Sequence, residues 1–83
     1  MTASETRIAK LILECLHALD GAQAHALTIH GEIGGLNACP TAEFNSVMGM
    51  LDRDRLIIGV VTKFKGTMWC ISPRGEAALI TMT

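Results

Sequence analysis

Apolar residues recur through SETRIAKLILECLHALDG at Ile8, Leu11, Ile12, Cys15, Leu16 and Leu19. That i, i+3, i+4, i+7 spacing lays one continuous stripe along a helix. Thr2 or Ser4 can cap its start, and Thr2 with Glu5 has the spacing of a capping box. Asp20-Gly21 ends it, since a glycine at C′ takes the left-handed conformation readily. Leu13 lies off the main stripe and widens the apolar face. The same period returns in TAEFNSVMGMLDRDRL, where Phe44, Val47, Met48 and Leu51 predict a second strong helix with Thr41 at its cap. Its opposite face carries Glu43, Asn45, Ser46, Gly49 and Asp52, all small, polar or acidic.

The stretch between these helices, AQAHALTIHGEIGGLNACPT, is less regular. Ala26-Leu27 reads as a short extended piece, with Thr28 capping a brief helix from Ile29 to about Gly34. Gly31, Gly34 and Gly35 each cost roughly 1 kcal/mol relative to alanine inside a helix. The brief helix is therefore expected to depend on packing of Ile29, Ile33 and Leu36, and GGLNACPT to form a turn closed by Pro40. After Asp54 the pattern changes to two β-rich runs, LIIGVVTKF and TMWCI. They predict a hairpin with its tip at about Lys63 to Gly66. Ser72 then caps a last helix, with Pro73 at the first helical position, where its missing N–H is harmless.

The order is helix, short strand, helix, turn, helix, hairpin, helix, and it resembles the winged helix-turn-helix domain of small bacterial and phage regulators. Three stretches carry the resemblance. LIIGVV after VMGMLDRDR is similar to the family's passage from recognition helix into the first wing strand. WCISPRGEAAL resembles its Tyr-x-Leu-Thr-x-x-Gly ending, with Trp69, Ile71, Ser72 and Gly75 at the matching positions. EIGGLNACPTAEFNSVMGML is compatible with the helix-turn-helix itself. The resemblance implies an α+β fold: a three-helix core, a two-stranded β-hairpin wing and a C-terminal helix, as one winged-helix domain over 1–83. Two departures stand out. Arg55 occupies the position where the family carries glycine, and the turn before the third helix is long.

Composition adds a constraint. Of 83 residues 49% are apolar and 18% charged, against about 25% charged in ordinary domains. A chain this short buries only about 60–65% of its unfolded surface. The apolar surplus points to a homodimer through the first and last helices, with Leu13 and the terminal AALITM supplying contact. Net charge is −1, so no overall basic signature of nucleic-acid binding is present. Arg7 and Lys10 against Glu5, Glu14, Asp20 and Glu32 leave the first forty residues at −2. The remainder, with Arg53, Arg55, Lys63, Lys65 and Arg74, stands at +1.

On the winged-helix reading, the third helix and the hairpin tip face double-stranded DNA. Asn45 and Ser46 would reach base edges, Gly49 would allow close approach, and Thr41 would bind a phosphate. Arg53 and Arg55 would flank them, with Lys63 and Lys65 on the wing. Lys63-Phe64-Lys65 suits phosphate or minor-groove contact, and equally suits a hairpin protected from edge pairing by lysines. Against DNA stands a third helix without Lys or Arg between Thr41 and Asp52, where Glu43 and Asp52 would repel phosphate. The alternative is a winged-helix module that contacts a protein instead.

Other chemistry is not expected. His25 and His30 have half of a zinc spacing but no CxxC partner, so no metal or cofactor is predicted. Cys15 and Cys70 read as buried small hydrophobes, and Cys39 as the exposed thiol. The glycines lack the Lys-Ser/Thr of a phosphate loop, and no nucleophile with its base is apparent, so no enzyme is expected. Three scattered cysteines, no apolar run of membrane length and an N-terminal MTASETR unlike a signal peptide predict a cytoplasmic protein.

Overall fold

The computed structural model describes residues 2–82. Helix α1 (Ala3–Ala18) opens on a full capping box. The Thr2 hydroxyl accepts the Glu5 N–H at 3.1 Å, and the Glu5 carboxylate accepts the Thr2 N–H at 2.9 Å. The chain leaves α1 through Asp20 and Gly21, both left-handed (φ 51° and 88°). The buried face of α1 is Ile8, Ala9, Ile12, Leu13 and Leu16. It is rotated from the predicted stripe: Leu13 is 0% exposed, Leu11 and Cys15 are half-buried, and Leu19 is exposed. The cause is that α1 is the central helix, touched by every other helix and by the hairpin. Leu13 is thus core and not the contact surface expected of it.

Helix α2 (Ala26–Glu32) starts earlier than predicted, with His25 at the cap position and no side-chain cap bond. The extended residue is Ala24, not Ala26-Leu27. Its N–H donates to the Trp69 carbonyl at 2.9 Å and its carbonyl accepts the Trp69 N–H at 2.8 Å. That long-range pairing holds Ala24 extended and lets the helix begin directly after it. A short 3-10 turn (Gly35–Asn37) follows, in which Leu36 is exposed instead of packed. Helix α3 (Thr41–Arg53) buries Phe44, Val47, Met48 and Leu51 as the pattern predicts. Pro40, not Thr41, stands at its cap position, and no side chain caps it.

Strands β1 (Ile57–Thr62) and β2 (Gly66–Ile71) pair antiparallel, from Ile57 opposite Ile71 to Thr62 opposite Gly66. Ile57 anchors the base of this hairpin in the core. Trp69 packs against the core and lies across from Gly59, where an added Cβ would sit 2.7 Å from the indole ring. Helix α4 (Pro73–Met82) begins at Ser72, whose hydroxyl accepts the Gly75 N–H at 3.0 Å and donates to the Arg55 carbonyl at 2.6 Å. Gly75 is buried so tightly that a Cβ there would collide with the Leu56 carbonyl. One seryl side chain and one glycine therefore bind the wing's exit to its entrance. Helix α4 then returns along α1, where His17 Nδ1 lies 2.6 Å from Glu76 Oε2.

Helices α1–α3 with a hairpin and a closing helix form an α+β winged helix-turn-helix, in which α2 and α3 are the paired helices and β1–β2 the wing. Among the described residues, no helix is long and apolar enough to cross a membrane.

Candidate nucleic-acid interface

Burying Phe44, Val47, Met48 and Leu51 leaves α3 one outward arc. Thr41, Asn45, Ser46 and Gly49 are all exposed there, with Asp52 farther along. Helical periodicity stacks Thr41, Asn45, Gly49 and Asp52 a turn apart down this face. Glu43 does not join them: it is half-buried, and Ser4 of α1 donates to its Oε1 at 2.8 Å. Of the two acids expected to repel phosphate, only Asp52 lies on the exposed arc.

What orients α3 is a latch that sequence reasoning missed. His30 of α2 is buried, and its Nε2 lies 2.9 Å from the carbonyl of Cys39, so that nitrogen is the donor. The same imidazole stacks on Phe44 with ring centroids 4.4 Å apart and an 11° interplanar angle. Arg7 of α1 adds a second tie by donating to the Ala38 carbonyl at 3.2 Å. These contacts draw the turn inward, and Cys39 is 3% exposed rather than the accessible thiol predicted. Burial pushes its thiol pKa up; the Glu43 charge acts in the same direction and Arg7 opposes. His30 follows Ile29 in the apolar phase of α2, but nothing in the local pattern distinguishes a structural histidine from a surface one.

Exposed cations stand at the C-terminal end of the arc and, on a separate element, at the tip of the wing. Arg53 and Arg55 are exposed at the C-terminal end of α3. Arg55 adopts φ 62°, the left-handed region where the family resemblance places glycine. Its N–H donates to the Asp52 carbonyl at 3.0 Å, and the Leu56 N–H to the Leu51 carbonyl at 2.9 Å. These bonds make a Schellman closure with arginine at C′. Lys63 and Lys65 are exposed in the turn of the wing. Thus all eight residues expected at a DNA surface are solvent-accessible, on α3, its C-terminal turn and the hairpin tip.

An apolar feature adjoins the N-terminal end of α3. Leu27 is 83% exposed and Leu36 76%. They line a groove of about 300 Å³ with His30, Gly31, Gly35 and Thr41. The sequence offered a signal here, since Leu27 lies outside the stripe of Ile29 and Ile33. Among the described residues, no cluster of His, Cys, Asp and Glu is placed to hold a metal ion.

The fold and this arrangement define the class as winged helix-turn-helix. Among solved structures, the chain is similar to the PcaV transcriptional regulator from Streptomyces coelicolor, determined in complex with its natural ligand. The TM-score is 0.70 at 17% identity, over 96% of this chain and 51% of that one. The chain spans about half the length of that regulator, and the likeness is one of fold. No protein-family model and no curated protein sequence matches the chain.

Proposed function

We propose that the chain is a winged-helix DNA-binding protein, a transcriptional regulator of prokaryotic or phage type, with 1–83 acting as one domain in the cytoplasm. The observation that carries this reading is the outward arc of α3. It is small, polar and free of bulky apolar groups, with exposed Arg53 and Arg55 at its C-terminal end and exposed Lys63 and Lys65 in the turn of the wing. An α-helix with such a face fits the major groove. Asn45 would pair with adenine through its amide, a contact worth about 1–3 kcal/mol of discrimination. Ser46 would reach a neighbouring base edge, and Gly49 would let the backbone approach. Thr41 would hold a phosphate beside the helix N-terminus. The arginines and lysines would neutralise phosphates on either side, which is where most affinity for duplex DNA originates. Two copies joined through α1 and α4 would set their α3 helices about one DNA turn apart, on a palindromic site.

A protein-contact module is the second reading. Leu27 and Leu36 favour it, because exposed leucines at the mouth of a groove suit an apolar side chain better than a phosphate. Fluorescence anisotropy of the purified protein on a random-sequence duplex pool at low ionic strength separates the two. The DNA reading expects saturable binding that weakens steeply with added salt, and two chains per duplex at the selected site. Absence of binding at low salt overturns it and leaves the protein-contact reading.

A further inference from the structure

The hairpin tip holds an aromatic side chain that neither the core nor the expected phosphate contacts employ. Phe64 is 90% exposed, more than any other large apolar side chain described. It is held out by a braced turn rather than by a loose loop. The Thr62 hydroxyl donates to the Gly66 carbonyl at 2.8 Å and accepts the Lys65 N–H at 3.0 Å. Gly66 closes the turn at φ 73°. The base of the hairpin is anchored by buried Ile57, and six residues of strand project the tip by about 20 Å. Lys63 places its ammonium 5.6 Å from the Phe64 ring centroid, and Lys65 is the next residue in the turn. An apolar ring flanked in sequence by two cations, carried on a stiff arm, complements a surface whose interior is flat and aromatic and whose rim is anionic. Duplex DNA is such a surface at a base step between two phosphate backbones.

We infer that Phe64 is an apolar wedge, entering the minor groove and partly unstacking one base step while Lys63 and Lys65 hold the flanking phosphates. This inference rests on the DNA-binding reading above and adds to it a residue, a mode and a sequence preference. Wedges of this kind bend DNA, and the deformation is easiest at pyrimidine–purine steps such as TA and CA/TG. The wing would thus contribute specificity without a hydrogen bond to any base. Charge favours DNA over a protein partner at this tip, because Lys63 and Lys65 leave no acidic group within the turn itself.

The test uses the intact protein and a duplex it selects from a random-sequence pool, end-labelled with a donor and acceptor dye pair. Wild type is expected to bind and to shorten the end-to-end distance. Phe64→Ala is expected to lose the bend and about ten-fold in affinity with an unchanged salt slope, while Phe64→Leu keeps both in large part. Lys63→Ala with Lys65→Ala should instead lower the salt slope by about 2. Replacing the pyrimidine–purine step under the wing with an A-tract step should weaken wild type and leave Phe64→Ala unaffected. Phe64 is exposed, so thermal melts of both Phe64 variants should match wild type. If wild type binds and bends DNA and Phe64→Ala does the same, the wedge is wrong and the DNA reading stands. If wild type binds no duplex from the pool even at low salt, both the wedge and the DNA reading are overturned.

Discussion

Arg55 shows two demands meeting on one residue. The Schellman closure at the end of α3 requires a left-handed C′ position, and Arg55 supplies it at φ 62°. A residue with a Cβ pays roughly 1 kcal/mol or more for that conformation, which glycine adopts without penalty. Its carbonyl is meanwhile the acceptor for Ser72, so its backbone has no freedom to relax. An exposed guanidinium beside the α3 arc is what the strained position presents in return. Arg55→Gly should therefore stabilise the fold by about 0.5–1 kcal/mol in urea melts, with the greater freedom of the unfolded glycine chain reducing the gain. On the proposed DNA-binding reading, the same substitution should weaken binding and lower the salt slope by about 1, because the phosphate contact proposed for Arg55 would be lost. Opposite signs in the two measurements separate the closure from the contact. A fall in both stability and affinity would show that Arg55 packs instead of reaching outward.

Among the elements, α1 carries the clearest link between a local motif and pH. The Thr2 N–H, and then the Thr2 side chain, hold the Glu5 carboxyl below the usual carboxylate range. A folded pKa below the unfolded one adds stability that is present above the unfolded value and lost as pH falls through the folded value. Glu5→Gln keeps the shape and removes the charge, so it should melt earlier than wild type near neutrality. The two melting curves should converge in acid, where Glu5 is protonated in both states. A constant gap at every pH would mean that the charge does not matter. This capping box was legible in the sequence because its partners are three residues apart, and so were the α3 stripe and the Ser72-Pro73 start of α4. The start of α2 was not legible. It depends on Ala24 pairing with Trp69 far along the chain, and no local propensity encodes that. The burial of Leu13 and Cys39 was hidden for a related reason: how many neighbours surround α1, and where His30 points, are tertiary facts.

At the scale of the whole molecule, a net charge of −1 supplies no general attraction to DNA, so the proposed binding would have to draw on where the charges sit. That the candidate residues would lie on exposed positions of α3 and the hairpin turn was readable from the order of elements, but which acids share the α3 arc was not. Sequence reasoning set two acids against phosphate. The fold turns Glu43 toward Ser4 and leaves Asp52 on the exposed arc beyond Gly49. On the DNA-binding reading, Asp52 is thus the charge that would oppose phosphate at this arc, with Arg53 next to it in sequence. Asp52→Asn is expected to tighten binding to the selected duplex about two- to five-fold at low salt, the range for one exposed charge interaction. The gain should shrink as salt rises, because the screening length falls to about 10 Å at 0.1 M. The fold should gain a few tenths of a kcal/mol as well, since an acid near a helix C-terminus opposes the macrodipole. Glu43→Gln, which alters an acid bound to α1, should leave affinity nearly unchanged and is the matched control. If the two variants change affinity equally, the field at α3 is set by net charge rather than by position, and the arc loses its claim to read DNA.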